Sequence, residues 1–189
     1  MILKRTTDAI IEPVTLAEAK AALRVDYANE DDLINSLIKS ARQFCEQEIS
    51  LSFLTQTWQL KLDCWPCGII ELPYGPVQSI SSITYVDTEG DTQTLDSSVY
   101  QLDGSSIVAR LYTAYGESWP SVRDQLAPIE INYVAGNLTA EDVQDDIKTA
   151  IKLLVGHWLQ NRSDTTTFTL NNIPYGVNRL IKHYKAFTL

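Results

Sequence analysis

The sequence predicts an α+β protein, a helical bundle formed by the N- and C-terminal segments with an inserted antiparallel β unit. Three observations carry this. Apolar residues recur at about 3.6 residues up to position 54, at about two from 55 to 136, and again at about 3.6 after Thr139. Neither helical part has enough apolar face for a core of its own, so 1–54 and 137–189 are expected to pack as one domain, with the antiparallel β region 55–136 inserted between them in sequence. A chain of 189 residues is long enough to bury such a core.

Thr15-Leu16-Ala17-Glu18 opens the first helix with a capping-box pattern, and Leu16, Ala19 and Leu23 mark its inner face. A longer helix begins near Asn29 or Glu30, with Asp31 and Asp32 in a first turn that favours negative charge. Leu33, Leu37, Ile38, Ala41, Phe44, Cys45 and Ile49 form its apolar stripe; Lys39, Arg42 and Glu46 fall on the other, solvent-facing side. Trp58, Leu60 and Leu62 then alternate with polar residues as a half-buried strand. Further strands are expected over Ile69 to Leu72, Ile80 to Val86, Thr92 to Leu95, Tyr100 to Leu102, Ile107 to Leu111, and Ile129 to Tyr133. Asp87-Thr88-Glu89-Gly90-Asp91 is the turn of a hairpin, with Gly90 at the tight position. After Thr139 a helical stripe returns through Val143, Ile147, Ala150, Ile151, Leu154, Trp158 and Leu159. Ser163 to Asn172 is a polar connector, and Pro174 opens a last helix with Val177, Leu180, Ile181 and Tyr184 on one face.

A formal net charge of −9 argues against a protein that grips nucleic-acid phosphates, because such binders cluster Lys and Arg. It is compatible with a duplex passing without sticking. Three cysteines, an odd number, make no disulfide framework and point to a reduced compartment. The opening Met1-Ile2-Leu3-Lys4-Arg5-Thr6 has no signal-peptide pattern, and no apolar run reaches the ~20 residues that span a bilayer, so a soluble protein made in the cytoplasm, with no membrane partner, is expected.

Cys64-Trp65-Pro66-Cys67 has the spacing of a thiol–disulfide active site. That chemistry needs a thiolate stabilised at a helix N-terminus after a strand, and Gly68-Ile69-Ile70-Glu71-Leu72-Pro73 reads as a strand instead. A turn that tolerates cysteine is the better reading, and a thiol-redox protein using Cys64 and Cys67 the alternative. One C-x-x-C without a second ligand pair makes no zinc site, and Cys45, His157 and His183 show no ligand spacing. Phosphate-loop, dinucleotide-binding and G-x-S-x-G patterns are missing. The sequence therefore suggests no catalytic residues, cofactor or metal.

Two charge features remain. Asp87, Glu89, Asp91, Asp96 and Asp103 occur with no Lys or Arg among them, either as a solvated hairpin or as an acidic surface toward a DNA channel or a basic partner. Arg179, Lys182 and Lys185 are the only charges from Pro174 to the end, among the apolar residues Val177, Leu180, Ile181, Tyr184, Phe187 and Leu189. This segment is a candidate portal or subunit interface of the docking-helix kind, and the opposite charge of the two features suits contacts between components.

With these residues in view, the sequence resembles the head–tail connector, or adaptor, proteins of tailed bacteriophages. The likeness runs through Pro13-Val14-Thr15-Leu16-Ala17-Glu18-Ala19-Lys20, Leu23-Arg24-Val25-Asp26, Glu30-Asp31-Asp32 and Thr55-Gln56-Thr57-Trp58. It continues through Leu72-Pro73, Pro76-Val77-Gln78-Ser79-Ile80, Ile83-Thr84-Tyr85-Val86-Asp87, Tyr115-Gly116-Glu117-Ser118-Trp119-Pro120 and Tyr133-Val134-Ala135-Gly136. It ends in Ile151 to Arg162, with His157-Trp158, and Pro174-Tyr175-Gly176-Val177. The two cysteines flanking Trp65-Pro66 and the run Thr165-Thr166-Thr167 depart from it. The resemblance implies a virion structural protein of the head–tail neck, assembled in the host cytoplasm. Its copies would form a ring, typically dodecameric, beneath the portal protein and above a tail-completion or stopper protein. DNA would pass through the ring without sequence-specific binding.

Overall fold

The computed structural model describes residues 1–161 and 175–185. It contains helices and antiparallel sheets, an α+β protein. The chain divides into two compact units, one of Met1–Ala9 with Thr55–Gly136, the other of Ile10–Leu54 with the described residues from Asn137 onward.

The first unit is built from eight strands: β1 Ile2–Thr7, β2 Gln56–Leu62, β3 Ile70–Leu72, β4 Val77–Val86, β5 Thr92–Thr94, β6 Tyr100–Asp103, β7 Ala109–Thr113 and β8 Ile129–Ala135. They form a five-stranded sheet in the order β1-β2-β8-β4-β5 and a three-stranded sheet in the order β3-β7-β6. All pairings are antiparallel. Strict alternation explains the centre: Ile129, Ile131, Tyr133 and Ala135 on β8 are buried while the residues between them are half-buried. Leu60 of β2 and Ile83 of β4 both lie opposite Ile131, so one apolar row crosses three strands. Trp58 stacks on Tyr74 at 4.1 Å, and the buried Tyr133 hydroxyl donates to the Pro73 carbonyl at 2.7 Å.

Three expectations need correction here. Residues Ile2–Thr7 are an edge strand against β2, whereas the sequence places 1–54 wholly in a helical part. Only Leu3 and Arg5 in this strand are half-covered, so its alternation is faint and the pairing with β2 defines it. The strand expected over Ile107 to Leu111 is shifted to Ala109–Thr113: Ala109 and Leu111 point inward while Ile107 is exposed. β4 starts at Val77 and not Ile80, because register shifts after Val77 and Ile80 break the alternation that would have revealed it.

The second unit holds α1 Leu16–Leu23, α2 Asp31–Ile49, α3 Asp145–Gln160 and α4 Tyr175–Ile181, the last continued by a 3-10 turn Lys182–Tyr184. The capping box at α1 is present: Thr15 Oγ1 accepts from the Glu18 N–H at 3.2 Å, and the Thr15 N–H donates to Glu18 Oε2 at 2.8 Å. α2 packs on α3, α3 on α4, and α1 against both α2 and α3. Ile34, Ile38, Ala41, Cys45 and Ile49 supply the buried face of α2, facing a core shared with Ile147, Ala150, Ile151 and Leu154 of α3. Burial pushes the Cys45 thiol up to about 12.

The amphipathic reading of α2 is wrong on one side. Leu33 is exposed, whereas Arg42 is 0% and Glu46 2% exposed. The Arg42 guanidinium bonds Glu46 Oε2 at 2.8 Å one turn on and grips Glu12, with Nε to Oε2 at 2.7 Å. Glu46 Oε1 accepts the Phe53 backbone N–H at 2.9 Å. Two charges thus tie the segment before α1 and the loop after α2 to the middle of α2. Arg42→Met leaves Glu46 buried without its counter-charge, which costs about 3–5 kcal/mol. Urea unfolding followed by circular dichroism should show that loss, and Arg42→Met/Glu46→Leu should recover part of it.

Candidate functional site

The structure divides the C-terminal candidates. Val177 and Ile181 are 0% and 2% exposed, so they are core residues holding α4 to its unit and are not available for docking. Arg179, Lys182 and Lys185 are exposed, Leu180 and Tyr184 half-buried. None of these three cations forms an ion pair within the described residues. Phe187 and Leu189 lie outside the described residues.

Two shallow grooves flank α4. One, of about 400 Å³, is lined by Asp146, Leu153, Gly176, Arg179, Leu180 and His183. The other, of about 210 Å³, is lined by Glu48, Ile49, Asn178, Ile181, Lys182 and Lys185. Both are open at the surface and show no convergent catalytic set. Leu153, 47% exposed on α3, extends the apolar part of this face. It falls off the periodic stripe of its helix, which was the only signal that could have found it.

The acidic segment is not uniform. The Asp87 carboxylate organises the β4–β5 turn, its Oδ1 accepting from the N–H groups of Glu89, Gly90 and Asp91 at 2.9–3.1 Å and its Oδ2 from Gln93. Gln93 first, then the Asp91 amide, hold that carboxyl below its usual range. Gly90 sits at φ +100°, a left-handed conformation that favours glycine, with the Arg123 guanidinium lying beside it. Asp96 caps the 3-10 turn Ser97–Val99 through the Ser98 N–H, which lowers its pKa. Asp103 accepts from the Ser105 hydroxyl and amide and pairs with Arg110 at 2.7 Å, and these bonds, in that order, take it down to about 2. Glu89 and Asp91 are left at the exposed tip of the hairpin.

Cys64 and Cys67 are both exposed free thiols between β2 and β3. No helix follows them, so the dipole that a thiol–disulfide centre uses is missing from this turn. Trp65 between them stacks on Trp119 at 4.5 Å with nearly parallel rings and meets Tyr85 edge-on, which explains the motif as an anchor of the turn. His157 lies in the last turn of α3, hydrogen-bonded to Asn161, and His183 in the turn after α4. Among the described residues no group of three or more His, Cys, Asp and Glu side chains could hold a metal, and no helix is long and apolar enough to cross a membrane.

The geometry is therefore that of exposed charged and apolar faces on two ordinary cores. Chains of solved assemblies share the fold at 21–22% identity, over 100% of this chain and 97% of theirs. One belongs to the neck of an empty GTA particle computed with C6 symmetry (TM-score 0.81), one to the virion of a native gene transfer agent particle (0.82), and one to the neck of the native particle computed with C12 symmetry (0.77). No curated protein matches the sequence. Residues 12–187 match the family described as head completion protein, a span that takes in nearly all of both units. On that match, the chain belongs to the head completion protein family.

Proposed function

We propose that the protein is a structural head–tail connector subunit of a tailed phage or phage-like particle. Its copies form a dodecameric ring beneath the portal, extend the DNA channel and offer the attachment surface for a tail-completion or stopper protein. The observation that carries this is the family match over residues 12–187, joined to a fold shared along the whole chain with proteins of particle necks. The C12 symmetry of one such neck supports the ring number. In this reading the N- and C-terminal helices act as one bundle and the β unit as a separate platform, each presenting surface to other components. The protein performs no catalysis: its work is assembly by complementary surfaces, and its location is the neck of the virion, reached from the host cytoplasm. DNA passes the ring without sequence-specific contact, as an acidic chain allows.

The segment from Lys185 to Leu189 is assigned to the portal. Its cation and the apolar Phe187 and Leu189 suit a segment that docks in a groove of a partner. Mixing the purified protein with its portal and imaging the product by electron microscopy should show a ring of twelve copies on one end of the portal. Absence of any bound density would reject the reading. Deleting Lys185 to Leu189 should lower portal affinity at least about tenfold while leaving the urea unfolding midpoint within error. The alternative, thiol exchange at Cys64 and Cys67, makes the opposite forecast for Cys64→Ser/Cys67→Ser. On the connector reading this variant assembles on the portal as the parent does, and the parent shows no disulfide reductase turnover.

A further inference from the structure

We infer that neighbouring copies in the ring contact one another head to tail, the acidic tip of the β4–β5 hairpin of one copy seated on the cationic face of α4 of the next. This rests on the ring reading above. A closed ring needs two different patches on one chain that fit each other, because each copy uses one patch toward each neighbour. Two patches of opposite charge in the described structure meet that need.

The first patch is Arg179 and Lys182 on α4 and its continuation. Between Tyr175 and Lys185 there is no acidic residue. Several other cations are paired inside the fold: Lys20 with Asp31, Arg42 with Glu12 and Glu46, Lys61 with Glu130, and Arg110 with Asp103. Those on α4 have no such partner among the described residues, and no acid interrupts them along the segment. The acids bordering the face are Asp146, which accepts from the Tyr184 hydroxyl at 3.4 Å, and Glu48. Exposed Leu153 and half-buried Leu180 give the face an apolar floor.

The second patch is the hairpin tip. Asp87 is spent on three backbone N–H groups and Gln93, so it fixes the loop and leaves Glu89 and Asp91 to project from it. Its neighbour Arg123 lies beside Gly90 and forms no ion pair with either acid. A loop already held in one shape loses little entropy on docking, which favours it as a contact element. The remaining acids of this segment, Asp96 and Asp103, are occupied by a cap and by Arg110. The acidity left over lies at Glu89, which among the described residues accepts only from the Thr88 hydroxyl, and Asp91, on either side of Gly90. A net acidic second copy presenting that tip is the partner the α4 face fits by charge.

The test is a charge swap read on the portal. Glu89→Lys/Asp91→Lys leaves the Asp87 backbone bonds in place, and Arg179→Glu/Lys182→Glu alters exposed side chains only. Each variant alone would set like charge against like, and complete rings imaged on the portal should fall at least about tenfold relative to the parent. An equimolar mixture should restore them, since opposite patches then alternate around the ring. Restoration is the arm that a direct contact of α4 with the portal cannot imitate. Full rings from either variant alone, or a mixture no better than its parts while the parent assembles, would overturn this contact and leave the ring reading standing. A parent protein that fails to assemble on the portal would remove the ring reading, and this contact with it.

Discussion

The helical unit depends on a guanidinium that has lost all contact with water. Burying Arg42 is tolerable only because two carboxylates meet it, one from the same helix and one from the strand-to-helix segment. The second carboxylate of that helix then has an oxygen left over, which the Phe53 amide occupies. Removing water from such a set of charges makes it intolerant of partial disruption, because each lost partner leaves another group uncompensated. The consequence is architectural. Two of the places where the chain passes between its units, near Ala9 and near Leu54, are each within a few residues of a group in this network. The chain first enters the helical unit and first leaves it within a few residues of groups that Arg42 and Glu46 hold.

Much of this architecture was legible in residue order. The change of period near residue 55 and its return after Thr139 reflect physical differences between strand and helix that need no tertiary knowledge. The capping box of Thr15 and the glycine-tipped hairpin at Asp87 to Asp91 are local devices, and both stand where their chemistry predicts. What was not legible depended on partners distant in sequence. β1 owes its existence to β2, more than fifty residues away, and its own alternation is nearly blank. Arg42 and Glu46 look like solvent-facing charges because helical periodicity assigns a face but cannot show that Glu12 will arrive on it.

The candidate surfaces followed the same division. Exposed cations on α4 and acids at the hairpin were visible as charge, but charge alone did not separate residues that hold the fold from residues left over. Three of the five acids turned out to be occupied by turns, a cap and an ion pair. Two of the apolar residues in the last helix turned out to be core. The sequence resemblance supplied the class of protein, and the hydrogen-bond pattern narrowed the surface it has available. A protein whose role is to join others is defined by such remainders, the groups its own folding does not consume.

The indole of Trp65 lying flat against that of Trp119 has a practical corollary. Two indoles in stacked contact shield one another from solvent and share an environment that is lost when the β unit unfolds, which changes their emission. Trp58 also belongs to the β unit, while Trp158, edge-on to Phe44, belongs to the helical one. The stacked pair is thus a native optical reporter on one half of the molecule, readable without a label while the other half melts.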